Sequence, residues 1–558
     1  MTRTGARILV DQLLVHGADT AFCVPGESYL GVLDAIRDTQ LRLVVARHEA
    51  AAANMSDAYG KLTGRPGLCL VTRAPGATHA AVGVHTAYQD STPLILLVGQ
   101  VPRRHLGREA FQELDYARLF GEMAKWVAVV EDAAALPELV SRAFHTATSG
   151  RPGPVVIALP EDVQADEADV ADAEPYRPGR SAPSAEEVER ALELVTAAER
   201  PLLVVGGGGW SEQTGRDVLA FAEASNVPVA TSFRRQDYVD NASRAYAGVL
   251  TIGIDPELAR RVEEADLIFA LGTRLGEIAT RQYSLLEPPR PRQRLVHVHA
   301  DPDELGRVYE ADLPIVSGSP QFAAALRPVD GAHRAGWVEE ARAGYLANLR
   351  HDPLPGDLQL GDVMAHLRER LPDDAVLTNG AGNYTVWCHR FYEFRRYGTQ
   401  LAPCSGTMGY GIPAAVAAKV LHPERIVVCV SGDGDFLMSG QELATAVQYG
   451  AAIVVLVVNN GMLGTIRMHQ ERQFPGRAIG TDLVNPDFVA YARSFGAHAA
   501  LVERTADFPG AFEDALAAGR PALLELRVDP EAITPRATLT EIRGQFWEGS
   551  SGISATTR

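Results

Sequence analysis

Three stacked α/β domains with mainly parallel sheets are the architecture this sequence predicts, and three observations predict it. Apolar strand-like runs alternate with helical patterns from end to end, the order that lets helices cover a parallel sheet. Two weakly patterned stretches, Ala165 to Pro183 and His351 to Asp357, cut that alternation into three blocks. The chain has 558 residues, more than one core holds when a domain takes roughly 150. The expected domains are 1–165, 184–345 and 355–535, followed by a C-terminal tail at 536–558.

In the first block the pattern predicts a helix over Thr4 to His16, then strands at Thr20 to Val24, Leu43 to Ala46, Gly67 to Thr72, Leu94 to Gly99 and Val155 to Ala158. Ala-rich helices fall at Ala50 to Leu62 and His79 to Tyr88. Residues Ala165 to Pro183, rich in Asp, Glu, Ala and Pro, read as a solvated linker. The second block opens with a helix at Ala185 to Ala198 and has strands at Pro201 to Gly206, Val227 to Thr231, Leu267 to Leu271 and Arg294 to His299. Strands of the third block are Ala375 to Asn379, Ile426 to Ser431, Ile453 to Asn459 and Ala522 to Arg527, with a helix from about Gly440 to Tyr449. Glu548 to Arg558, rich in Ser, Gly and Thr, is expected to be disordered. The first and third blocks are candidates for a shared fold.

Composition narrows the function classes. Hydrophobic residues make up 46% and charged residues 22%, as in ordinary packed proteins. The net charge of −18 repels polyanions, so neither nucleic acid nor an acidic membrane surface is an expected partner. Cys23, Cys69, Cys388, Cys404 and Cys429 are scattered without paired spacing and read as reduced core thiols. No run reaches bilayer-spanning length and no signal-peptide pattern opens the chain, so the expected location is cytoplasmic.

The chemistry concentrates between Ser431 and Asn460. The strand ending near Ser431 runs into Gly432-Asp433-Gly434, whose glycines let a diphosphate approach the backbone. The next strand ends in Asn459-Asn460. Neighbouring parallel strands open on the same carboxyl edge, so Asp433 and Asn460 are expected to converge. A carboxylate, an amide carbonyl and the backbone carbonyl of Met462 form an oxygen set suited to Mg²⁺.

With these residues the sequence resembles the thiamine-diphosphate enzymes of the acetolactate synthase, pyruvate decarboxylase and benzaldehyde lyase superfamily, closest in pattern to acetolactate synthase-like proteins. The resemblance spans nearly the whole chain. It implies a pyrimidine-binding, a central and a diphosphate-binding domain in that order, with thiamine diphosphate and Mg²⁺ as cofactors. In Arg47-His48-Glu49 it makes Glu49 the partner of N1′ of the aminopyrimidine. A buried carboxyl there can share a proton with N1′, favour the imino form at N4′, and so let the cofactor activate its own C2. In the run Pro403 to Gly411 the resemblance assigns Gly406 to the cofactor site and makes Met408 the apolar wedge that keeps the cofactor bent. Asn383 is implied as a diphosphate donor beside Tyr384, and Asp435, Gly464 and Thr465 as further contacts.

On the substrate side, Phe111-Gln112-Glu113 resembles the acetolactate synthase stretch in which a Gln faces the substrate. A neutral amide at Gln112 can donate to a developing alkoxide. Pro25-Gly26-Glu27-Ser28 is closer to the simple decarboxylases and makes Glu27 a proton relay at the mouth, with Ser28 and Phe111 in the substrate pocket. Two residues depart from the amino-acid-biosynthetic pattern: Glu161 replaces a Lys, and His469 stands where a Trp narrows the acceptor pocket. Arg274-Leu275-Gly276-Glu277 does not match the flavoprotein run, and the glycines at Gly206 to Gly209 are weak dinucleotide evidence, so FAD is not expected.

The implied function is a 2-oxo acid decarboxylase and carboligase acting on pyruvate or a related 2-oxo acid and an aldehyde or ketone. It would work as a homodimer or homotetramer with shared active sites. A lyase cleaving 2-hydroxy ketones or 2-hydroxyacyl thioesters is the alternative. A non-catalytic cofactor-binding regulatory subunit is another, and Glu49, Asp433 and Asn460 together argue against it.

Overall fold

The computed structural model describes residues 2–550, the side chains of 545–550 excepted. It contains three six-stranded parallel sheets, each flanked by helices. In the first sheet the strands are β1 (Thr20–Cys23), β2 (Arg42–Val45), β3 (Gly67–Val71), β4 (Leu94–Gln100), β5 (Trp126–Val129) and β6 (Pro154–Pro160). The second has β7 (Pro201–Val205), β8 (Val229–Thr231), β9 (Tyr246–Val249), β10 (Leu267–Leu271), β11 (Arg294–His299) and β12 (Leu313–Val316). The third has β13 (Val376–Asn379), β14 (Gln400–Leu401), β15 (Val427–Gly432), β16 (Val454–Asn459), β17 (His498–Val502) and β18 (Ala522–Arg527).

Numbered within each sheet, the first and third share one spatial order, 2-1-3-4-6-5, while the central sheet runs 3-2-1-4-5-6. The likeness anticipated between the end blocks therefore extends to strand topology. Inner strands such as Leu94–Gln100 and Pro154–Pro160 are buried throughout, which is why they read as continuous apolar runs.

By compactness the chain forms two units. One runs to Arg342 and takes in Arg396–Gly398; the other comprises Ala343–Arg395 and the chain from Thr399 onward. In the first unit, Gly206, Gly207 and Gly208 serve chain packing. A side chain on Gly207 would start 1.8 Å from the Gly272 carbonyl oxygen, and one on Gly208 would start 2.3 Å from that of Ser91.

Four local expectations are corrected. The supposed solvated linker is docked: Glu167–Ala168 pairs antiparallel with Arg3–Thr4, and the Tyr176 amide donates to His16 Nδ1 at 3.1 Å. The helix expected over Gly440 to Tyr449 is a 3₁₀ turn, Gly440–Glu442, followed by Leu443–Gln448. Of the five thiols, Cys404 is only half-buried. Glu548 to Ser550, read as the start of a disordered tail, end the helix Leu539–Ser550, and the rest of that tail lies outside the described residues.

Candidate functional site

Two regions collect the candidate residues, one in each unit. In the second unit they surround a cavity of about 210 Å³. The first turns of three helices face it: α3 (Tyr384–Phe391), entered through Asn383, α4 (Asp433–Phe436) and α5 (Gly464–Gln473). Each brings first-turn backbone N–H groups that have no partner one helical turn back, and the positive end of its dipole, so the cavity favours an anion such as a diphosphate. Asn383, Tyr384, Gly406, Met408, Gly432, Asp433, Gly434, Asp435, Asn460, Met462, Gly464 and Thr465 all line it.

At three of these positions an added side chain would press on a neighbouring one. A Cβ on Gly432 would lie 3.0 Å from the Tyr384 ring, one on Gly434 2.8 Å from Leu463, and one on Gly464 2.9 Å from Ile533. The glycines thus keep the turns tight against their neighbours as well as opening the backbone to a ligand.

Asp433 is buried, with 3% of its surface exposed. Its Oδ1 accepts the Gly434 amide at 2.9 Å, and its Oδ2 accepts the Gly461 amide at 2.9 Å and Asn485 Nδ2 at 2.8 Å. Burial raises its pKa above the usual carboxylate value, against the pull of those donors. A cation in the cavity would offset that cost. Asn460 follows β16 on the same sheet edge, and its Oδ1 accepts the Met462 amide at 3.2 Å. Met462 pairs with Asp482 through the Gly461 carbonyl and the Leu463 amide, so its own carbonyl is not used by the pairing. The oxygen set proposed for Mg²⁺ is therefore compatible with the local backbone.

Tyr384 and Asp435 do a different job from the one anticipated. The Tyr384 hydroxyl donates to Asp435 Oδ2 at 2.8 Å and accepts the Gly380 amide at 3.1 Å, so only its ring is offered to the cavity. Asp435 also accepts the Gly409 amide at 2.8 Å, the Ala381 amide at 3.2 Å and the Ser431 hydroxyl. Burial raises its pKa and the donors lower it. Four donors on two oxygens leave little place for a carboxyl proton, so the ionised form fits. This carboxylate ties the loop before α3, the loop carrying Met408 and the end of β15 to one point.

Asn383 is held on both sides, donating to the Ile533 carbonyl at 3.0 Å and accepting from Thr465 Oγ1 at 2.9 Å. Beneath α5, Met462, Met468, Ile533, Leu539 and Ile542 form one apolar cluster. The helix α6 (Leu539–Ser550) is pinned to α5 by Arg543, whose Nε and Nη2 reach the Glu471 carboxylate at 2.8 and 2.9 Å. His469 is exposed on α5, is absent from the cavity lining, and has its pKa lowered by partial burial and by Arg472.

In the first unit, Glu49 is the first residue of α1 (Glu49–Thr63), and the dipole of that helix favours a carboxylate there. Its neighbours come from α2 (Ala74–Asp90): a Cβ on Gly76 would lie 3.4 Å from Glu49 Oε1, and His79 Nδ1 is 2.9 Å from Glu49 Oε2. The loop from β3 into α2, which sequence reasoning did not single out, gathers the other candidates. Thr72 Oγ1 is 3.0 Å from Ser28 Oγ, Arg73 donates to the Phe111 carbonyl at 3.1 Å, and the Ala74 amide donates to the Gln112 carbonyl at 3.2 Å. Gln112 takes a left-handed backbone with φ of 63°, unusual for a residue with a side chain. Ser28 is buried, whereas Glu27 and Phe111 are exposed. Glu161, which inverts the charge of the expected Lys, pairs with Arg73.

Comparison with known proteins gives three family matches in chain order. They are the thiamine pyrophosphate enzyme N-terminal TPP binding domain over residues 3–119, its central domain over 188–326, and its C-terminal TPP binding domain over 380–526. The chain is 35% identical to an acetolactate synthase large subunit of Parasynechococcus marenigrum (strain WH8102), covering 89% of this chain and 82% of that one. It is 33% identical to an acetolactate synthase of Arthrospira platensis, covering 94% of each. With the acetolactate synthase isozyme 2 large subunit of Escherichia coli (strain K12) it shares 31% identity over 94% of this chain and 95% of the other.

Proposed function

The chain belongs to the thiamine pyrophosphate enzyme family, and from that premise we propose that it is a thiamine-diphosphate- and Mg²⁺-dependent carboligase. It takes an acyl unit from a 2-oxo acid such as pyruvate and joins it to an aldehyde or ketone. The observation that carries the reading is the convergence of three helix N-termini and the Asp433 carboxylate on one cavity. That arrangement suits a diphosphate held through a hard cation.

When bound, thiamine diphosphate supplies a nucleophilic carbon and a sink for the electrons left as CO₂ departs. Asp433, Asn460 and the Met462 carbonyl would hold the metal. Amides at the starts of α3, α4 and α5 would face the diphosphate, and Met408 would give the rings an apolar wall. Glu49 holds and exchanges a proton at its carboxylate. Gln112 and Glu27 act on the substrate side, Gln112 by donating to an oxygen on which negative charge develops. Further proposals are an assembly of two or four copies, for which a fully active monomer in light scattering would be the contrary result, and a cytoplasmic location. Among the described residues no helix is long and apolar enough to cross a membrane.

Product analysis tests the function. Pyruvate supplied with and without an aldehyde should yield CO₂ and a new 2-hydroxy ketone or acetolactate-type acid. Cleavage of an added 2-hydroxy ketone or 2-hydroxyacyl thioester, with no ligation from any 2-oxo acid, would replace the proposal by a lyase.

A further inference from the structure

Glu49 is held by a side chain to which the reading above gives no role. His79 places Nδ1 2.9 Å from Glu49 Oε2, and its ring stacks on that of His48 with centroids 4.5 Å apart and planes 28° apart. His48 is itself fixed, because its Nδ1 accepts the Ala50 amide at 3.1 Å and caps α1. A ring nitrogen that accepts carries no proton, so neutral His48 keeps its proton on Nε2. Burial and the neighbouring His79 hold the His48 pKa below the ordinary histidine value, with Glu49 opposing them. His48 thus gives His79 a flat, neutral surface to lie on, and His79 turns Nδ1 toward the carboxylate. With its own proton at Oε1, Glu49 can only accept at Oε2, so the proton between the two groups rests on Nδ1.

The surroundings of Glu49 differ on its two sides. Inward, Tyr29 and Cys69 feel its charge, and burial pushes the pKa of both far above the ordinary range. Neither releases a proton near neutral pH. Outward stands His79, whose side chain is 52% exposed where that of Glu49 is 13% exposed. An imidazole can take a proton at one nitrogen as it releases one at the other.

We propose that His79 is the relay through which Glu49 exchanges its proton with the outside of the fold, a positioning residue acting through Glu49. The inference rests on Glu49 being the proton partner of the cofactor. As Glu49 gives up a proton at Oε1, Oε2 takes the one on His79 Nδ1, and His79 takes another at Nε2 from water, whose hydroxide the bulk buffer neutralises. The imidazole ends neutral in its other tautomer, and the reverse transfer carries a proton out.

The test uses the full-length protein with three substitutions, His79→Ala, His79→Asn and Glu49→Gln. Deuterium exchange at C2 of bound thiamine diphosphate reports the proton step, calorimetry reports cofactor affinity, and ¹⁵N spectra of the cofactor-free protein report the His79 tautomer. The parent should show His79 protonated at Nδ1. His79→Ala should slow exchange by about 10²-fold, the lower end of general acid–base contributions, with affinity unchanged. Added imidazole should restore the rate in proportion to its concentration. His79→Asn keeps a donor but cannot relay, and should be equally slow. Parent-like exchange in His79→Asn, or no rescue by imidazole in His79→Ala, would reduce His79 to a hydrogen-bonding prop and overturn the proposal. Parent-like exchange in Glu49→Gln would instead remove the role given to Glu49, whatever the His79 variants do.

Discussion

The first and third sheets have the same strand order and present different chemistry at their carboxyl edges. In the first, the groups gathered around the loop after β3 are polar side chains, Glu49 with His79 and Ser28 on Thr72, together with Gln112, whose backbone carbonyl accepts the Ala74 amide. In the third, the equivalent loop after β15 is Gly432-Asp433-Gly434, and the groups around it are backbone amides, glycines and two buried carboxylates, Asp433 and Asp435. On the proposed reading, one edge exchanges protons and the other holds charge. A fold supplies the edge, and the loops decide what is done there. Damage to the two edges should therefore fail differently.

The largest effect is expected at the charge-holding edge. Asp433→Ala removes the anionic protein ligand proposed for the cation and unties the Gly461 amide and Asn485. Calorimetry with Mg²⁺ present should show thiamine diphosphate retention lost, a cost above the roughly 10- to 100-fold typical of residues behind a metal ligand. Unchanged affinity would break the comparison at its root.

Glu49→Gln is the counterpart at the other edge. Gln is nearly isosteric, so cofactor affinity should persist while turnover falls by about 10² to 10⁴. A parallel loss of affinity would mean that this edge also anchors the cofactor. Asn485→Ala, the next in size, removes a donor shared by Asp433 Oδ2 at 2.8 Å and Asn459 Oδ1 at 3.0 Å. It should weaken Mg²⁺-dependent cofactor binding by about 10-fold and leave the C2 exchange rate of the saturated protein unchanged. A slowed exchange at saturation would show that the two edges are not separable.

How much of this was legible in the sequence follows from burial. The inner strands of all three sheets were readable because both faces are covered. The strands missed in these three sheets all lie at their edges: Trp126–Val129, Tyr246–Val249, Leu313–Val316, Gln400–Leu401 and His498–Val502. An edge strand pairs on one side only and tolerates interruptions such as Pro314, so its apolar run is broken. The glycine and Asn motifs were readable because strand-end turns need those residue types locally. Asn485, His79 and the loop Thr72 to Gly76 gain their significance from neighbours distant in sequence, and no local signal marks them. The helix Leu539–Ser550 did have one. Thr538 and Glu541 form a reciprocal capping pair, obscured by the Ser/Gly/Thr composition farther along.

The smallest effect is expected at Tyr384→Phe. The ring that faces the cavity is kept, so cofactor affinity should change by less than about 10-fold. What is lost is the hydroxyl donor to Asp435 Oδ2, and with it the acceptor for the Gly380 amide. A hydrogen bond to a charged group contributes about 1.5–3 kcal/mol, which sets the expected loss of folding stability near neutral pH. The sign of its pH dependence follows from Asp435, whose folded pKa burial holds above the unfolded value. Relative to the unfolded chain, folded Asp435 is favoured in its protonated form, so that contribution is fully present below the unfolded pKa and lost as pH rises through the folded one. Removing the Tyr384 donor destabilises mainly the ionised form and raises the folded pKa further. The cost of Tyr384→Phe should therefore be small in mild acid and grow as pH rises. Urea denaturation of parent and variant at two pH values, on either side of the folded pKa, measures it. An equal loss at both would mean that the hydroxyl supports the Gly380 turn and not a buried charge, and that Asp435 holds its proton at neutral pH.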